Sequence, residues 1–562
     1  MSRVIALIPI DLNTSRLGFK ARLDDELRDL NILQHTVRRV ASIRHVEKIV
    51  LIHPPGQDPL SLLGSDTIKL PKPVVTHLDV GGLQDAITRR WVSARKWAQP
   101  NWRGGLGGAT CYDELLPPGP LLDALKAHQG DAAWIVRGDW CLFDPELAER
   151  QIDLLLQDIQ AMKMIFTQAP PGLSGLAVSR ELLEQLTQGA AGFGDVLAYN
   201  PKKPQIDPIG RDVNCPIPPP ARDTAERFIY DTPRSMELIR VLAKRLGDRL
   251  LEADVRDVTD VCQVLLAEDP AWIYRRLPRM VTLELTPRRQ ATGPITPQHY
   301  VTFGRPDMDT DLALRIVDQL GEEDTAGDVT LLIGGLGDAL LHPDWERIVK
   351  RAHEAGVFSI GIETDLLCDQ NQLSSLLDSP IDLIKIRFNA DTANTYQKVM
   401  GIDSFKQVLT NTEWLFNERL RRIDDPNKAR GAMPWLIPSM AKTVDTLPEM
   451  EAFFDKWTYF LGHALITPAC DGCGLMPAMS PVPMAPPDRK PCLQMTRRIS
   501  ILSDGVVALC DQDWLGRVPM GDTRTQTLID IWRSSQHHVQ AHYEQRWQDL
   551  TICGSCVEWH RP

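Results

Sequence analysis

The sequence predicts an α/β protein with an N-terminal α/β domain, a partial (β/α)6 barrel and a small cysteine-rich C-terminal domain. Three observations support this prediction. Short apolar runs alternate with amphipathic segments of helical period, which is typical of parallel sheets. A stretch with seven prolines, residues 201–220, separates two such regions. Six of the eleven cysteines fall between residues 470 and 556, beyond the last strand–helix repeat.

Length and charge bound the classes of function. The chain has 562 residues, enough for about three domains, and its formal net charge of −12 argues against nucleic acid or an anionic membrane as the main partner. No apolar run approaches the roughly 20 residues of a transmembrane helix. The apolar start at residues 4–10 is broken by Pro9 and followed by Asp11, unlike a signal peptide. We therefore expect a cytoplasmic protein whose clustered cysteines bind metal rather than form disulfides.

Residues 1–215 are predicted to form the first domain. An apolar strand at residues 4–10 runs into a polar loop that carries Arg16 and Lys20. Loops at strand ends are where α/β folds present cations to phosphates. A later strand ends in a Gly-Asp pair whose carboxylate, Asp139, is a candidate Mg²⁺ ligand.

The order of these features resembles nucleotidyltransferases of the cytidylyltransferase type. In that family an Ile-Pro pair is followed by a loop ending in Arg-Leu-x-x-Lys, which here runs from Arg16 to Lys20, and a later Gly-Asp binds metal. The chain departs from the family at Asp11, where Arg is preferred, and at Phe19, which replaces a loop glycine that lets the backbone approach the phosphates. The resemblance implies a Rossmannoid, nucleotidyltransferase-like fold that binds nucleotide and Mg²⁺ weakly.

Residues 216–275 are predicted to connect the first domain to the second. Three consecutive prolines at 218–220 stiffen the start of this segment. A helix follows, with Thr232 as its candidate N-cap and Gly247 just beyond its end. We assign no chemistry to the connector.

Residues 276–466 repeat a strand–helix pattern, which indicates a parallel sheet. The predicted strands cover residues 281–286, 329–334, 358–363 and 383–389, with two weaker ones near 434–439 and 459–466. Such a sheet either curls into a partial (β/α)6 barrel or stays open. In both cases its ligands belong at the carboxyl ends of the strands.

These carboxyl ends resemble the core of radical S-adenosylmethionine enzymes. The first strand ends in a Glu-x-Thr sequence at Glu284, and the second runs into a glycine-rich stretch, as they do in that family. The glycine-rich motif holds the methionine amino group of the cofactor there. The resemblance implies that Gly335, Gly337 and Asp338 line the corresponding site, while Arg387 stands where the fourth strand of the family often has Ser.

The cysteines of the family's cluster loop are absent. In the family, Cys-x3-Cys-x2-Cys after the first strand holds the catalytic [4Fe–4S] cluster, and the matching positions here are Arg289, Gly293 and Thr296. No cysteine occurs between Cys262 and Cys368. A cluster that cleaves S-adenosylmethionine needs three thiolates and one open iron. The resemblance therefore implies a core that does not cleave this cofactor.

Residues 467–562 carry the most specific pattern in the chain. Four cysteines define it: Cys492, Cys510, Cys553 and Cys556. Apolar residues alternate on both sides of Gly505 and predict a β-hairpin over residues 499–510, whose second strand ends on a thiolate. Thiolates are soft ligands that select zinc, copper(I) or iron–sulfur clusters.

The cysteine spacing and the surrounding residues, as far as Trp559, resemble the SPASM domain, an auxiliary iron–sulfur module behind many radical S-adenosylmethionine enzymes. The resemblance implies one [4Fe–4S] cluster on the four cysteines, with zinc as the alternative because a tetrahedral S₄ set suits both. Four thiolates leave no open iron, so such a cluster would serve structure or electron transfer. Cys470 and Cys473 form a further Cys-x-x-Cys pair, which is structural, a second partial site or a source of exchanged ligands.

In this order the parts resemble the spiro-SPASM family over nearly the whole chain. Two hypotheses of function remain. In the first, the protein is a non-catalytic iron–sulfur scaffold, docking site or electron-transfer partner for a peptide or carrier substrate or for an active homologue. In the second, it is an enzyme through residues 1–215, acting as a nucleotidyl- or sugar-nucleotide transferase. Nucleotide binding to the first domain discriminates between them.

Overall fold

A computed structural model describes residues 2–64, 70–79, 86–203, 212–423, 432–482 and 485–560. The described residues fall into two compact units, one up to residue 270 and one from residue 271 onward. Both units are α/β, as the sequence predicts. None of the helices in the described ranges is long and apolar enough to cross a membrane.

The first unit contains a six-stranded mixed sheet and a two-stranded hairpin. Its strands are β1 (Val4–Pro9), β2 (Glu26–Leu27), β3 (Leu30–Asn31), β4 (Val46–His53), β5 (Val74–Leu78), β6 (Ala132–Ile135), β7 (Met164–Ile165) and β8 (Leu176–Ser179). The sheet order is β5-β4-β1-β6-β8-β7, and the four strands from β5 to β6 are parallel. All six residues of β1 are buried, as expected for a central strand covered on both faces.

Eleven helices accompany these strands in the described part of the first unit. They are α1 (Ile32–Ser42), α2 (Leu60–Leu63), α3 (Ala86–Lys96), α4 (Pro118–Ala127), α5 (Pro145–Gln157), α6 (Ile159–Met162), α7 (Arg180–Gln188), α8 (Phe193–Leu197), α9 (Pro219–Arg222), α10 (Pro233–Leu246) and α11 (Val255–Glu268). The helix predicted after Thr232 is α10, and the Thr232 side chain accepts from the Ser235 N–H as its N-cap. The connector packs into the first unit, where buried Arg227 donates to Glu114 Oε2 at 2.6 Å.

The second unit is organised around one open sheet of nine strands. They are β9 (Met280–Leu283), β10 (Thr330–Ile333), β11 (Ser359–Thr364), β12 (Leu383–Arg387), β13 (Trp435–Lys442), β14 (Leu465–Pro468), β15 (Arg498–Ile501), β16 (Val506–Ala508) and β17 (Pro519–Asp522). The strands β9 to β14 are neighbours in chain order and all parallel. This is the predicted six-stranded parallel arrangement.

Helices connect the parallel strands and follow the hairpin. They are α12 (Thr310–Leu320), α13 (Trp345–Glu354), α14 (Gln370–Asp378), α15 (Ala393–Met400), α16 (Phe405–Arg421), α17 (Met450–Leu461), α18 (Gln494–Arg497), α19 (Leu528–Ser534) and α20 (Gln536–Tyr543). The strand expected near residues 459–466 is wrong in position. Helix α17 continues to Leu461, and the strand that follows, β14, begins only at Leu465. The apolar run there belongs to a helix whose buried residues, Phe453, Trp457 and Leu461, recur every four positions.

The predicted hairpin of residues 499–510 is confirmed, and it extends the parallel sheet. Strands β15 and β16 pair antiparallel around Gly505, whose φ of 88° suits glycine. Strand β15 also pairs parallel with β9, so the cysteine-rich segment and the strand–helix repeats share one sheet. Both oxygens of Glu284, one residue beyond β9, accept from Arg305 at 2.7 and 2.8 Å. One of them also accepts from the Ser503 N–H in the hairpin turn.

Glu284→Gln is expected to destabilise the second unit by about 3–5 kcal/mol, because it leaves the buried Arg305 guanidinium without a counter-charge. Urea-dependent protease cleavage within residues 271–562 measures the change. The matched control is Lys398→Gln, which breaks the exposed pair with Asp445 and should cost less than about 1 kcal/mol. Equal effects of the two substitutions would contradict the structural role of Glu284.

Candidate functional site: a cysteine cluster beside a buried charge network

Five cysteines from separate segments of the second unit converge. All five lie in loops. They are Cys473, Cys492, Cys510, Cys553 and Cys556. The Cys473 thiol lies within hydrogen-bonding reach of the sulfur atoms of Cys510 and Cys556, and it donates to Gln512 Oε1 at 4.0 Å. Cys492 and Cys553 lie close enough to these sulfurs to interact with them electrostatically. The structure thus brings together the four cysteines that the sequence singles out and adds Cys473.

The ionisation of these thiols reflects their crowding. Burial raises the pKa of Cys492 to about 11 and also raises the pKa of Cys553. The hydrogen bonds with its neighbours raise the pKa of Cys473, whereas the bond from Cys473 lowers the pKa of Cys556 to about 7. Several thiolates at such short range repel one another, so a cation must compensate them if all ionise. A bound metal ion or cluster would supply that compensation.

Backbone hydrogen bonds hold the cysteine loops in place. Arg489 donates to the Cys553 carbonyl at 2.6 Å, and Arg517 donates to the carbonyls of Gly472 and Cys473. The Cys492 N–H donates to His542 Nδ1 at 3.4 Å. The loops of Cys473, Cys492 and Cys553 are therefore each fixed by a partner that is not itself a thiol.

The donor set fits a cluster by its chemistry. Four thiolates bind a [4Fe–4S] cluster, and the same S₄ set suits zinc. The fit is one of ligand type: although these thiols lie near one another, no group of three or more His, Cys, Asp or Glu side chains within the ranges described has the arrangement that holds a metal ion. Cys470 takes another position, since it lines a cleft at the carboxyl ends of the parallel strands and its sulfur accepts from the Gly472 N–H.

That cleft lies over a buried network of ion pairs. Arg289 donates to both oxygens of Asp365 at 2.6 and 2.8 Å, and Arg387 Nε lies 3.0 Å from the same carboxylate. The neighbouring Glu363 pairs with Lys385 at 2.7 Å. Burial opposes the ionisation of Glu363, but Lys385 and Arg387 outweigh it and lower the pKa to about 2. Cations and carboxylates therefore occupy the strand ends where the sequence resemblance places a catalytic cluster.

The residues expected to bind the cofactor's amino group have partners within the chain. Arg387 donates to the carbonyls of Gly335 and Gly337 at 3.1 and 2.8 Å. Asp338 accepts from the Thr364 hydroxyl and from the Asp365 N–H. Burial raises the pKa of Asp338, and Asp365 adds to the shift. The Arg387 guanidinium thus donates to the glycine carbonyls that would otherwise be left to accept from a ligand.

The loop that lacks the three cysteines is closely packed. A Cβ added to Gly293 would lie 2.3 Å from backbone atoms of the segment Val399–Gly401, and the Gly293 N–H donates to the Met400 carbonyl. Thr296 is fully buried and its hydroxyl donates to the Gly293 carbonyl. Only glycine fits at position 293, so this loop has no room for a cluster-binding thiol there.

In the first unit the candidate metal ligand is paired with a cation. Asp139 is 4% exposed and accepts from Arg137 at 3.2 and 3.5 Å. Arg16 is also buried, and its Nε and Nη2 atoms have no hydrogen-bond partner among the described residues. Burial, assisted by the nearby Arg137, lowers the pKa of Arg16 to about 9. Lys20 is exposed, so the loop presents one cation to solvent and buries the other.

Side chains of the protein accept the backbone N–H groups of this loop. The Asp11 carboxylate accepts from the N–H groups of Asn13 and Thr14, and the Leu12 N–H donates to Gln57 Oε1 at 2.7 Å. Phosphate cradles depend on successive backbone N–H groups that are left for the ligand. Here three successive N–H groups already have acceptors.

Comparison with known proteins identifies the C-terminal segment. Residues 492–557 match the SPASM family, an iron–sulfur cluster-binding domain. This confirms the predicted domain. An uncharacterized protein of Treponema pallidum (strain Nichols) is 30% identical over 129 residues, which cover 22% of this chain and 34% of that protein. The match therefore spans about a third of the relative's length.

Three solved structures are similar to parts of this chain at low TM-scores. BtrN in complex with AdoMet and 2-DOIA is 16% identical, with a TM-score of 0.35 over 50% of this chain and 93% of BtrN. Streptococcus suis SuiB bound to its precursor peptide SuiA is 10% identical, with a TM-score of 0.38 over 50% of this chain and 70% of SuiB. A cytidylyltransferase from Leptospira borgpetersenii is 16% identical, with a TM-score of 0.32 over 48% of this chain and 97% of that enzyme.

The position of Cys473 predicts different behaviour for the two cysteines of one motif. If a cluster is bound by the four cysteines that the sequence singles out, Cys473→Ala is expected to shift its reduction potential while iron remains bound, because hydrogen bonds to ligating sulfurs tune that potential. Cys470→Ala is the matched control and should leave the potential unchanged. Iron analysis and a spectroscopic redox titration measure both. If Cys473→Ala loses iron as completely as Cys553→Ala does, Cys473 is itself a ligand.

Proposed function

We propose that this chain is an iron–sulfur protein that holds one [4Fe–4S] cluster on Cys492, Cys510, Cys553 and Cys556 and does not cleave S-adenosylmethionine. In this proposal the protein works in the reducing cytoplasm as a scaffold, docking site or electron-transfer partner. Its partner is a peptide or carrier substrate, or an active homologue. The SPASM match over residues 492–557 supports the cluster.

One observation carries the loss of cleavage. Arg289 stands where the first cluster cysteine is expected, and it is bound bidentately to Asp365 with 7% of its side chain exposed. The close packing of Gly293 excludes a second thiol. A cluster bound there would need thiolates that this loop does not supply, and it would separate a buried ion pair.

The four cysteines would hold the cluster through their thiolates, which supplies electron transfer or a structural link when the cluster is bound. The residues of the chain contribute the rest: Arg489 and Arg517 fix the loops, and β15 anchors the hairpin to β9. Binding of such a group is also folding free energy, because an unfolded segment has no preformed site. Zinc is the alternative occupant of the same ligands.

The first test is for cleavage. The protein is reconstituted with iron and sulfide, then incubated with dithionite and S-adenosylmethionine. We expect no 5′-deoxyadenosine above the level of a Cys553→Ala control that lacks the cluster, because Arg289, Gly293 and Thr296 offer no thiolate. Formation of 5′-deoxyadenosine that depends on the cluster would overturn the proposed function.

The second candidate function is nucleotidyl or sugar-nucleotide transfer by the first unit. Buried Arg16 favours it, because a guanidinium with unpartnered nitrogens is suited to an anion. Two contacts argue against nucleotidyl transfer: Arg137 pairs with Asp139, and Asp11 accepts a backbone N–H of the loop. We infer that this unit keeps the fold and binds nucleotide weakly.

Calorimetry of the full chain with CTP and Mg²⁺ tests this inference. Each charge-assisted hydrogen bond is worth roughly 1.5–3 kcal/mol, so losing the loop N–H contacts should leave affinity no tighter than about millimolar. Asp11→Ala, which releases the N–H groups of Asn13 and Thr14, is expected to tighten binding. Micromolar binding by the unaltered protein, lost in Lys20→Ala, would support the transferase instead.

A further inference from the structure

We propose that the cleft at the carboxyl ends of β10 to β14 binds the carboxylate of a ligand about the size of one amino-acid residue. The proposal deepens the docking role and rests on the absence of a cluster at Arg289, because a cluster would fill the same space. It names a site and a ligand chemistry for the second unit.

The cleft is lined by strand ends and by the segments that follow them, and one side of it is open to solvent. Its volume is about 170 Å³. A cavity of about 150 Å³ holds one benzene molecule, so the cleft has room for a group about the size of one side chain. A longer ligand would place its end in the cleft and extend from the open side.

Three cations and one carboxylate line the cleft: Arg289, Lys385, Arg387 and Glu363. The remaining carboxylates of the network, Asp365 and Asp338, are buried and do not line the cleft. The six groups balance in total, but all three cations and only one of the three carboxylates line the cleft. This separation favours a monoanion in the cleft, because the low dielectric strengthens its attraction to the nearer cations.

Hydrogen-bond donors remain for such an anion. Arg289 uses its Nε and Nη2 atoms for Asp365, and its Nη1 has no partner within the part of the chain that the structure describes. Lys385 is 23% exposed and uses one of its three donors for Glu363. Arg387 is fixed by the carbonyls of Gly335 and Gly337, so the site is preformed.

Apolar residues also line the cleft. They are Ile295, Leu336, Met479 and Trp514 together with the short segment Pro468–Ala469. A ligand with a carboxylate at one end and an aliphatic group at the other matches this combination of charged and apolar lining, as pockets commonly combine an apolar lining with a few polar groups. The terminal carboxylate of a peptide and a free branched carboxylic acid share this chemistry.

Calorimetry of the full chain tests the proposal with N-acetyl-L-leucine and its uncharged analogue, N-acetyl-L-leucinamide. We expect the acid to bind at least about tenfold more tightly than the amide, the loss expected for one charge-assisted hydrogen bond. Lys385→Gln should weaken binding of the acid about tenfold, whereas Lys385→Arg, which keeps the charge, should retain it. Lys398→Gln, an equal charge change at an exposed pair, is the control and should have no effect.

Two further probes distinguish the source of the carboxylate. A tripeptide that ends in Leu with a free carboxylate binds if the site accepts a chain terminus, and 4-methylpentanoate alone binds if it accepts only a free acid. Either result supports the proposal.

Equal binding of acid and amide, tighter binding of inorganic phosphate, or no binding of any acid up to about 10 mM would overturn the proposal. Identical behaviour of Lys385→Gln and Lys398→Gln would also overturn it. If Lys385→Gln does not fold, the comparison of acid with amide on the unaltered protein still decides. The assay for 5′-deoxyadenosine is independent, so a chain that neither cleaves S-adenosylmethionine nor binds the acid refutes this inference alone.

Discussion

The ion pair between Arg289 and Asp365 is the interaction on which the chemistry of the second unit depends. It fixes the loop after β9 by a salt bridge, where the sequence resemblance places a cluster. Removing one member of a buried pair costs about 3–5 kcal/mol, because the other charge is left unpaired. The same carboxylate lies 3.0 Å from Arg387, whose guanidinium holds the glycine-rich turn after β10. One buried carboxylate therefore organises two strand ends.

The pairing of β15 with β9 joins the cysteine-rich segment to the same sheet. The hairpin continues the sheet beyond β9. The loop after the hairpin contacts the segment that follows β14, which carries Cys470 and Cys473. Within that segment, Cys470 lines the cleft and Cys473 lies beside the clustered thiols. The cleft and the proposed cluster site are thus linked by four consecutive residues, a short covalent path between a ligand site and a redox or structural centre.

In the first unit the candidate binding groups are paired or buried within the chain itself. Its parallel strands place Arg16 and Asp139 after β1 and β6, as the resemblance implies. Neither group is left in a form suited to metal-assisted transfer, since Asp139 accepts from Arg137 and Arg16 is buried. Asp11 adds to this by accepting the N–H groups of its own loop. The Asp11 carboxylate thus accepts hydrogen bonds that a bound anion would otherwise accept.

The sequence by itself determined the local features. Apolar periodicity predicted the parallel strands, capping residues predicted the helix after Thr232, the residues around Gly505 predicted the hairpin, and cysteine spacing predicted the SPASM domain. These properties depend on neighbouring residues, so they can be read from the order of amino acids. The helix in place of a strand near residue 460 shows the limit, because a short apolar run fits either period.

Only the tertiary structure decided which side chains meet. Arg289 and Asp365 are 76 positions apart, and Arg387 reaches Gly337 across 50 positions. The approach of Cys473 to Cys510 and Cys556 likewise depends on the position of the segment after β14 next to the hairpin. No local pattern records such contacts, because they arise when distant strand ends are brought to one edge of a sheet, and burial there then favours the charges that find partners.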